Sequence, residues 1–411
     1  MTVPVSIEKE GIRSRAAREV NALILARALR DFGDGFIAVL LPVYLTALGL
    51  SAFHVGVMAT AALLGSALLT LGIGVLGSRY DHRRLLVAAS ALMMTTGLAF
   101  AASNDYGILL VVAFAGTINP SAGSVSVFVP LEHAVLARKV TDAGRTKMFA
   151  RYSLAGALAG ASGALAAASP ELLAAFGIGK LAALKLMFIV YAGLGLMGGL
   201  VYSRISARPP ESRHHAVAAL GPSRGIVYRL AALFSIDAFA GGFVVQSMLA
   251  LWLFERFDMS LSAAGLFFFW SGVLAAGSFP VAAWLARHIG LVNTMVFTHI
   301  PSSVCLILAA FAPSLESALG LLLVRAALSQ MDVPTRSSYV MAVVTEAERP
   351  AAAGVTSVPR SLAAAASPAL AGAMFAAGLQ IWPFIICGGL KIAYDLLLLV
   401  AFRHLKPPEE R

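Results

Sequence analysis

Apolar stretches long enough to cross a bilayer recur along this whole chain, and that leaves few folds open. A run of about 20 apolar residues matches the hydrocarbon thickness of a membrane. Inside hydrocarbon each unpaired backbone group costs several kcal/mol, so such runs must be helical. The pattern predicts twelve helices, at roughly 20–48, 53–77, 83–103, 106–137, 147–170, 180–203, 228–255, 261–286, 290–312, 315–344, 350–378 and 381–403. Polar or turn-forming segments separate several of them: "GLSAFH" (49–54), "ASNDYG" (102–107), "ASPELL" (168–173), "RFDMS" (256–260) and "APSLES" (312–317). Composition argues the same way. Of 411 residues, 59% are hydrophobic and 13% charged, against about 25% charged in soluble domains. Such a mixture cannot cover a water-facing surface.

The net charge of +10 could suggest nucleic acid in a soluble protein. Here the basic residues lie between apolar runs, where topology accounts for them and no nucleic acid is expected. With the N-terminus inside, inner loops hold Arg79, Arg83 and Arg84, then Arg138, Lys139, Arg145 and Lys147, then Arg204, Arg208, Arg213 and Arg224. The C-terminus adds Arg403, Lys406 and Arg411, while the outer loops carry only Lys180 and Arg256. This positive-inside pattern places both termini in the cytoplasm, in a multi-pass protein expected in a bacterial inner membrane. The polar start, with Lys9, Arg13, Arg15 and Arg18, has no short apolar core of a cleavable leader. Cys305 and Cys387 both sit in apolar runs and form no CxxC pair, so neither a disulfide framework nor a metal or other cofactor is expected.

The longest polar interval, "SRISARPPESRHHAVAALGPSRG" (203–225), divides the spans six and six. Pro209 and Pro210 discourage a rigid helix there. The two sides repeat. "DFGDGFIAVLLPVYLTALGLSAFHVG" (31–56) is similar to "AFAGGFVVQSMLALWLFERFDMSLSAAG" (238–265). "TDAGR" (141–145) pairs with "TEAER" (345–349), and "RYSLAG" (151–156) with "RSLAAA" (360–365). Duplicated halves suit alternating access, in which one bundle rocks against the other. The predicted units are an N-terminal bundle (1–203), a cytoplasmic linker (204–227) and a C-terminal bundle (228–411).

After the second span stands "GSRYDHRR" (77–84). Gly77, Asp81, Arg83 and Arg84 match in spacing the loop signature of the major facilitator superfamily, which the chain resembles over nearly its whole length. Arg79 and Tyr80 replace the usual Leu-Ala pair, and the tail lacks its glycine. The resemblance implies an all-α polytopic membrane protein of twelve transmembrane helices in two pseudo-symmetric six-helix bundles. Asp81 can accept from backbone amides at a helix start. It forms a candidate inner gate with Gly77, Arg83, Arg84 and Arg145, together with Arg151 and Arg360 at inner helix ends.

Charges within the spans are costly and mark a cavity, a partner or both. In "LARALRDFGDGF" (25–36), Asp31 and Asp34 share a helix face. Arg27 and Asp31 stand four apart, as do Arg30 and Asp34, so two ion pairs would neutralise both acids. Alternatively Asp34, the deeper acid, binds and releases a proton. Asn119 and Glu132 mark the fourth span, with His133 as a gate or interfacial residue. Glu132 is too far from Arg138 for a contact along one helix. Asp237 and Gln246 mark the seventh span, and Gln330, Asp332 and Arg336 the tenth. Asp332 and Arg336 are four apart, as an internal salt bridge requires. Lys185, Lys391 and Asp395 are expected nearer the bilayer edges or facing partners the sequence does not name, and Tyr44 and Trp270 are the aromatic candidates for a solute cavity.

The expected activity is secondary active transport of a small solute, with a proton or another ion as coupling partner and with membrane lipid around a monomer. The chain has no phosphate-binding loop for nucleotide hydrolysis and no nucleophile–base or metal-ligand spacing, so no enzyme is expected. The resemblance favours proton-coupled efflux by antiport of an organic or amphiphilic compound. Import of an anionic metabolite, with Arg30, Arg336 and Arg360 as contacts, is the alternative, and a non-transporting sensory protein is the third.

Overall fold

The computed structural model describes residues 5–76, 80–122, 126–139, 142–206 and 220–405, with side chains described except at 5–16, 75–76, 137–139, 142–147 and 347. Within these residues the chain is helical, without strands. The helices are α1 (Val5–Ala47), α2 (Ala52–Leu76), α3 (His82–Ala102), α4 (Tyr106–Ala115), α5 (Phe128–Lys139), α6 (Asp142–Ala166), α7 (Ser169–Ala175) and α8 (Lys180–Ser203). They continue as α9 (Arg224–Gly242), α10 (Gln246–Phe257), α11 (Leu261–Ile289), α12 (Leu291–Ala310), α13 (Leu315–Ser329), α14 (Asp332–Val343), α15 (Arg349–Ala376) and α16 (Trp382–Phe402). Among the described residues, eight segments are long and apolar enough to cross a membrane. The chain is a multi-pass integral membrane protein.

Four of the twelve expected helices are broken. The span expected over 106–137 stops at Ala115 and resumes at Phe128, because Gly116 and Pro120 interrupt the hydrogen-bond ladder. The side chain of Asn119 takes over there, accepting from Ser121 N (3.0 Å) and Oγ (2.9 Å). In the span expected over 315–344, the ring of Pro334 opposes the carbonyl four residues earlier, at Gln330. That carbonyl accepts instead from Val333 N at 3.3 Å, and the helix divides into α13 and α14. The seventh span opens after Gly242, and the fifth opens just before Pro170.

The packing is pseudo-symmetric. The contact of α1 with α6 is matched by α9 with α15, and that of α3 with α8 by α12 with α16. The contact of α2 with α4 is matched by α11 with α13, and α1 with α8 by α9 with α16. Two further large contacts cross between these sets, α2 on α15 and α6 on α11. Both crossings use glycine for close approach. A Cβ on Gly372 would lie 2.6 Å from the Ala52 carbonyl oxygen and 2.9 Å from Gly56 Cα. A Cβ on Gly265 would lie 2.7 Å from the Ala164 carbonyl oxygen. Ala369 N, beside Pro368, donates across the first crossing to Thr60 Oγ1 at 3.0 Å. Glu171 of α7 accepts from Leu261 N (2.6 Å) and Ser262 N (2.9 Å), filling the orphan donors at the start of α11. All these crossings lie toward the end of the molecule where α1 finishes and α2 begins.

At the opposite end, the residues on both sides of 207–219 are tied down. Glu19 of α1 accepts from Ser206 N at 3.3 Å and from its hydroxyl. Glu348, in the turn before α15, accepts from Gly221 N (2.5 Å), Ser223 N (3.4 Å), Ser223 Oγ (2.7 Å) and Thr345 Oγ1 (2.6 Å). The Thr345 and Ser223 hydroxyls, with the backbone amides behind them, hold the Glu348 carboxyl down to about 2 against the opposing cost of burial. A carboxyl held below its ordinary value of 4.5 stabilises the fold fully above that pH and loses the contribution as pH falls toward 2. The Gly221 amide is therefore expected to keep its protection from hydrogen exchange at neutral and mildly acid pH and to lose it only below pH 4.5. Glu348→Gln should show the weakened protection at every pH. Equal protection in the variant and the parent protein would show that this contact does not hold the segment.

Candidate functional site

Two buried charge clusters lie one in each half of the pseudo-symmetric packing. In the first, α1 presents Arg27, Arg30, Asp31 and Asp34. Arg27 Nε lies 2.5 Å from Asp31 Oδ2, the expected pair. The expected Arg30–Asp34 pair does not form. Arg30 instead lies 3.4 Å from Asp31 and reaches across to Glu132 Oε2 of α5 at 3.0 Å, because the break in the fourth span turns Glu132 toward α1. Glu132 is wholly buried. It also accepts from Tyr202 (2.5 Å) of α8 and from Tyr152 of α6, so its carboxylate is fully engaged. The Arg30 guanidinium rests 4.7 Å above the Phe128 ring, a cation–π contact. Gly156 of α6 makes room for the Arg27–Asp31 pair; a Cβ there would lie 2.5 Å from Arg27 Nε.

Asp34 is set apart. Buried one turn further along α1, it faces Tyr191 of α8, whose hydroxyl lies 3.4 Å from its Oδ1. That hydroxyl is also 3.1 Å from the Thr117 carbonyl in the break between α4 and α5. A phenol has one proton, so Tyr191 donates to Asp34 or to Thr117 but not to both. Among the described residues, Asp34 makes no ion pair.

The second cluster lies on α9, α12, α14 and α16. Asp237 of α9 lies 2.6 Å from Lys391 Nζ and 3.3 Å from Arg336 Nη1. Arg336 also binds Asp332 at 2.7 Å, the expected helix-internal pair. His299 Nδ1 lies 3.0 Å from Asp395 Oδ2, and its Nε2 lies 3.3 Å from Lys391 Nζ. Lys391 and Asp395, expected near the bilayer edges or facing partners the sequence does not name, have those partners in this cluster. Arg360 of α15, grouped above with the gate, approaches this same cluster without reaching ion-pair distance of a described carboxylate.

Two of the broken spans, the fourth and the seventh, meet at their breaks. Ser247 N, in the first turn of α10, donates to the Pro120 carbonyl at 3.0 Å. A donor orphaned at one helix break thereby satisfies an acceptor freed at the other. Asn119 and Gln246 flank this contact. Gln330 is exposed at the α13–α14 break. Tyr44 is a packing residue, fully buried, with its hydroxyl on the Phe100 (2.8 Å) and Ser103 (2.9 Å) carbonyls. Trp270 is half exposed on the outside. At the gate, Asp81 caps α3 by accepting from Arg83 N at 3.2 Å. Asp81, Arg83 and Arg84 line a cleft of about 480 Å³ with Ser203. Arg151 is exposed; Gly77 and the side chain of Arg145 lie outside the described residues.

Residues 23–331 and 230–411 match the Major Facilitator Superfamily. The chain belongs to that family. It is similar to an uncharacterized membrane protein of Saccharomyces cerevisiae, 24% identical over 426 residues and 94% of each chain. Its fold resembles the nucleoside transporter NupG, at TM-score 0.71 and 14% identity over 94% of this chain and 99% of that one. A bacterial homolog of the human lysosomal transporter Spinster, inward-facing and unoccupied, aligns at TM-score 0.69 and 15% identity over 94% and 95% of the two chains. The human organic anion transporter MFSD10 aligns at 0.64 and 18% identity over 93% and 99%. Family membership makes the chain a secondary transporter of small molecules rather than an enzyme.

Sequence reasoning missed the pairing of Arg30 with Glu132 and of Asp237 with Arg336, although the repeat contains it. Arg30 and Asp237 each immediately precede the matched segments at 31 and 238. Glu132 and Arg336 each lie nine residues before the matched threonines at 141 and 345. Equivalent positions therefore carry the same ion pair with its polarity reversed. Glu132→Ala leaves a buried guanidinium short of its partner and is expected to cost roughly 3–5 kcal/mol, the usual price of breaking a buried pair. Arg30→Asp together with Glu132→Arg rebuilds the polarity of the other cluster and should recover much of the stability lost by either single change. Thermal unfolding in detergent checks this, and a double variant no more stable than the singles would refute the equivalence.

Proposed function

We propose that this chain is a twelve-span, two-bundle transporter that exports a small organic or amphiphilic solute in exchange for protons. The bundles are residues 1–203 and 228–411, joined by a cytoplasmic linker over 204–227. With the basic loops inside a bacterial inner membrane and both termini cytoplasmic, the tightly packed α2–α15 and α6–α11 crossings lie on the outer side. That packing supports a state closed to the outside, from which solute is loaded on the inside.

The observation that carries proton coupling is the isolation of Asp34. Asp31, Glu132, Asp237 and Asp332 each face a guanidinium or ammonium group, whereas Asp34 faces a phenol. A buried carboxylate without a cation is the group whose charge is most readily removed by a proton. As a carboxylate, Asp34 takes the Tyr191 proton in a hydrogen bond. As an acid, it donates to the Tyr191 oxygen and leaves that phenol to donate to Thr117. Proton binding on α1 is thus relayed to the broken segment beside Asn119. A cationic solute and a proton would then exclude one another at Asp34, which is antiport.

A second reading, an anionic solute, rests on Arg360. Arg30 and Arg336 are held by carboxylates, so Arg360 is the guanidinium of the expected three left for a solute.

Reconstituted protein should show solute-driven proton movement across liposomes when screened against a diverse solute panel. Asp34→Asn is expected to abolish the proton flux while the protein still assembles. Proton-coupled transport that persists in Asp34→Asn would remove Asp34 from the mechanism. If Arg360→Gln abolishes exchange of acidic solutes while Asp34→Asn leaves it intact, the anionic reading replaces the first.

A further inference from the structure

Arg325 lies ten residues, about 15 Å, along α13 from Leu315, inside the second half. A guanidinium stays charged and carries five N–H donors and no acceptor. At membrane depth such a charge is expensive without a partner. Arg27, Arg30 and Arg336 each hold a carboxylate. Arg360 has none at ion-pair distance, yet it borders Asp237 and Asp332. Arg325 differs from all four. Among the described residues it borders no carboxylate, and its guanidinium makes no ion pair and no hydrogen bond; the titratable group beside it is the thiol of Cys387 on α16.

Three contacts place what surrounds it. The Arg325 backbone carbonyl accepts from Ser302 Oγ of α12 at 3.4 Å. A Cβ on Gly388 of α16 would lie 2.9 Å from the carbonyl oxygen of Ser303, the next residue of α12. Arg325 and Cys387 lie close enough for the charge of each to act on the other. Ser303, Arg325 and Cys387 therefore share one level, on α12, α13 and α16. His299 meets Lys391 one turn away on α12 and α16, so this level adjoins the second cluster on the side of the α12 C-terminus. Ser303 and Cys387 are buried. The Ser303 hydroxyl has no hydrogen-bond partner among the described residues, and the Cys387 thiol is free. A guanidinium, a hydroxyl and a thiol, all able to donate, thus stand at one level without a carboxylate to receive them.

We propose that Arg325, Ser303 and Cys387 form a binding site for a small monovalent anion, a halide such as chloride, inside the second half. The guanidinium supplies the opposite charge and the directed N–H groups, and the hydroxyl and thiol add neutral donors. One uncompensated positive charge matches one negative charge. The close approach of α12 to α16 at Gly388 favours a compact ion over an extended organic acid. The bound ion ties α13 to α12 and α16 just before the α13–α14 break, so it stabilises the folded protein as a resident ligand and is not the transported solute. This separates it from the reading of Arg360, in which an anion is carried across the membrane.

The test is thermal unfolding of the full chain in detergent while sodium chloride replaces sodium gluconate at constant ionic strength. An ion that binds the folded state raises Tm in proportion to the logarithm of its concentration once the site fills. The parent protein should show this rise with chloride and with bromide, and Arg325→Met should lose it. Ser303→Ala removes one hydroxyl and keeps the guanidinium, so it remains informative if Arg325→Met does not fold. It should raise the half-saturating chloride concentration about tenfold, the worth of one hydrogen bond to a charge. A Tm in the parent protein that ignores the exchange of gluconate for chloride overturns the proposal. So does the same chloride dependence in Arg325→Met, an unchanged half-saturation in Ser303→Ala, or a rise produced by acetate and not by either halide. The readout needs neither solute nor transport, so its failure would leave the readings of Asp34 and Arg360 untouched, and their failure would leave this one untouched.

Discussion

A guanidinium in a hydrocarbon environment is held by a carboxylate, and in each half of this protein one such carboxylate is on another helix. Arg30 on α1 binds Glu132 on α5, and Arg336 on α14 binds Asp237 on α9. Each pair ties the first helix of a repeat to the second part of its broken fourth helix. Breaking such a pair exposes a bare charge to low dielectric, at a cost larger than most packing defects. The phenols of Tyr152 and Tyr202 complete the hydrogen bonding of Glu132, while Asp332 and Lys391 complete that of Arg336 and Asp237. The aromatic faces of Phe128 and Phe234 cover the two guanidinium groups at 4.7 and 5.5 Å. Packing, helix breaks and cluster composition all follow from holding these two pairs dry.

The breaks are the second half of that arrangement. A continuous fourth helix would carry Glu132 on the face its register dictates. The break after Ala115 releases that register and lets α5 turn its acid toward α1. Opening a helix within the bilayer leaves donors and acceptors without partners. Here the Ser247 amide at the start of α10 meets the Pro120 carbonyl, so two irregular segments satisfy each other instead of water. Irregular backbone at membrane depth is stable where it is buried in protein or lines a cavity.

Apolar runs separated by polar turns were enough to read an all-α polytopic membrane protein from the sequence, because backbone desolvation in hydrocarbon favours helices. The family was legible from Gly77, Asp81 and the arginines that follow. The helix breaks were harder. Pro120 and Pro334 lie at two of them, whereas Val244 and Ala167 sit in runs that read as continuous helix. The ion pairs were legible within one helix and not between helices: Arg27–Asp31 and Asp332–Arg336 follow from spacing, whereas Arg30 chose Glu132 over Asp34. The contacts of His299 were not legible because a lone histidine in an apolar run has no neighbour in sequence to reveal Asp395 or Lys391. The register of the repeat would have exposed Arg30 and Asp237 as equivalents, had the charges been aligned along with the glycines.

The reversed polarity has a consequence for how charge is distributed over the two halves. In the first, Arg27 and Arg30 balance Asp31 and Glu132, and Asp34 is the acid left over. In the second, Arg336 and Lys391 face Asp237, Asp332 and Asp395, and Arg360 approaches from α15. The same ion pair thus stands in two settings: beside it in the first half Asp34 meets only a phenol, and in the second half Asp237 is shared with a lysine of α16. The packed crossings at Gly56–Gly372 and Gly265–Ala164 join the two halves in this state, so any motion of one half against the other must loosen them.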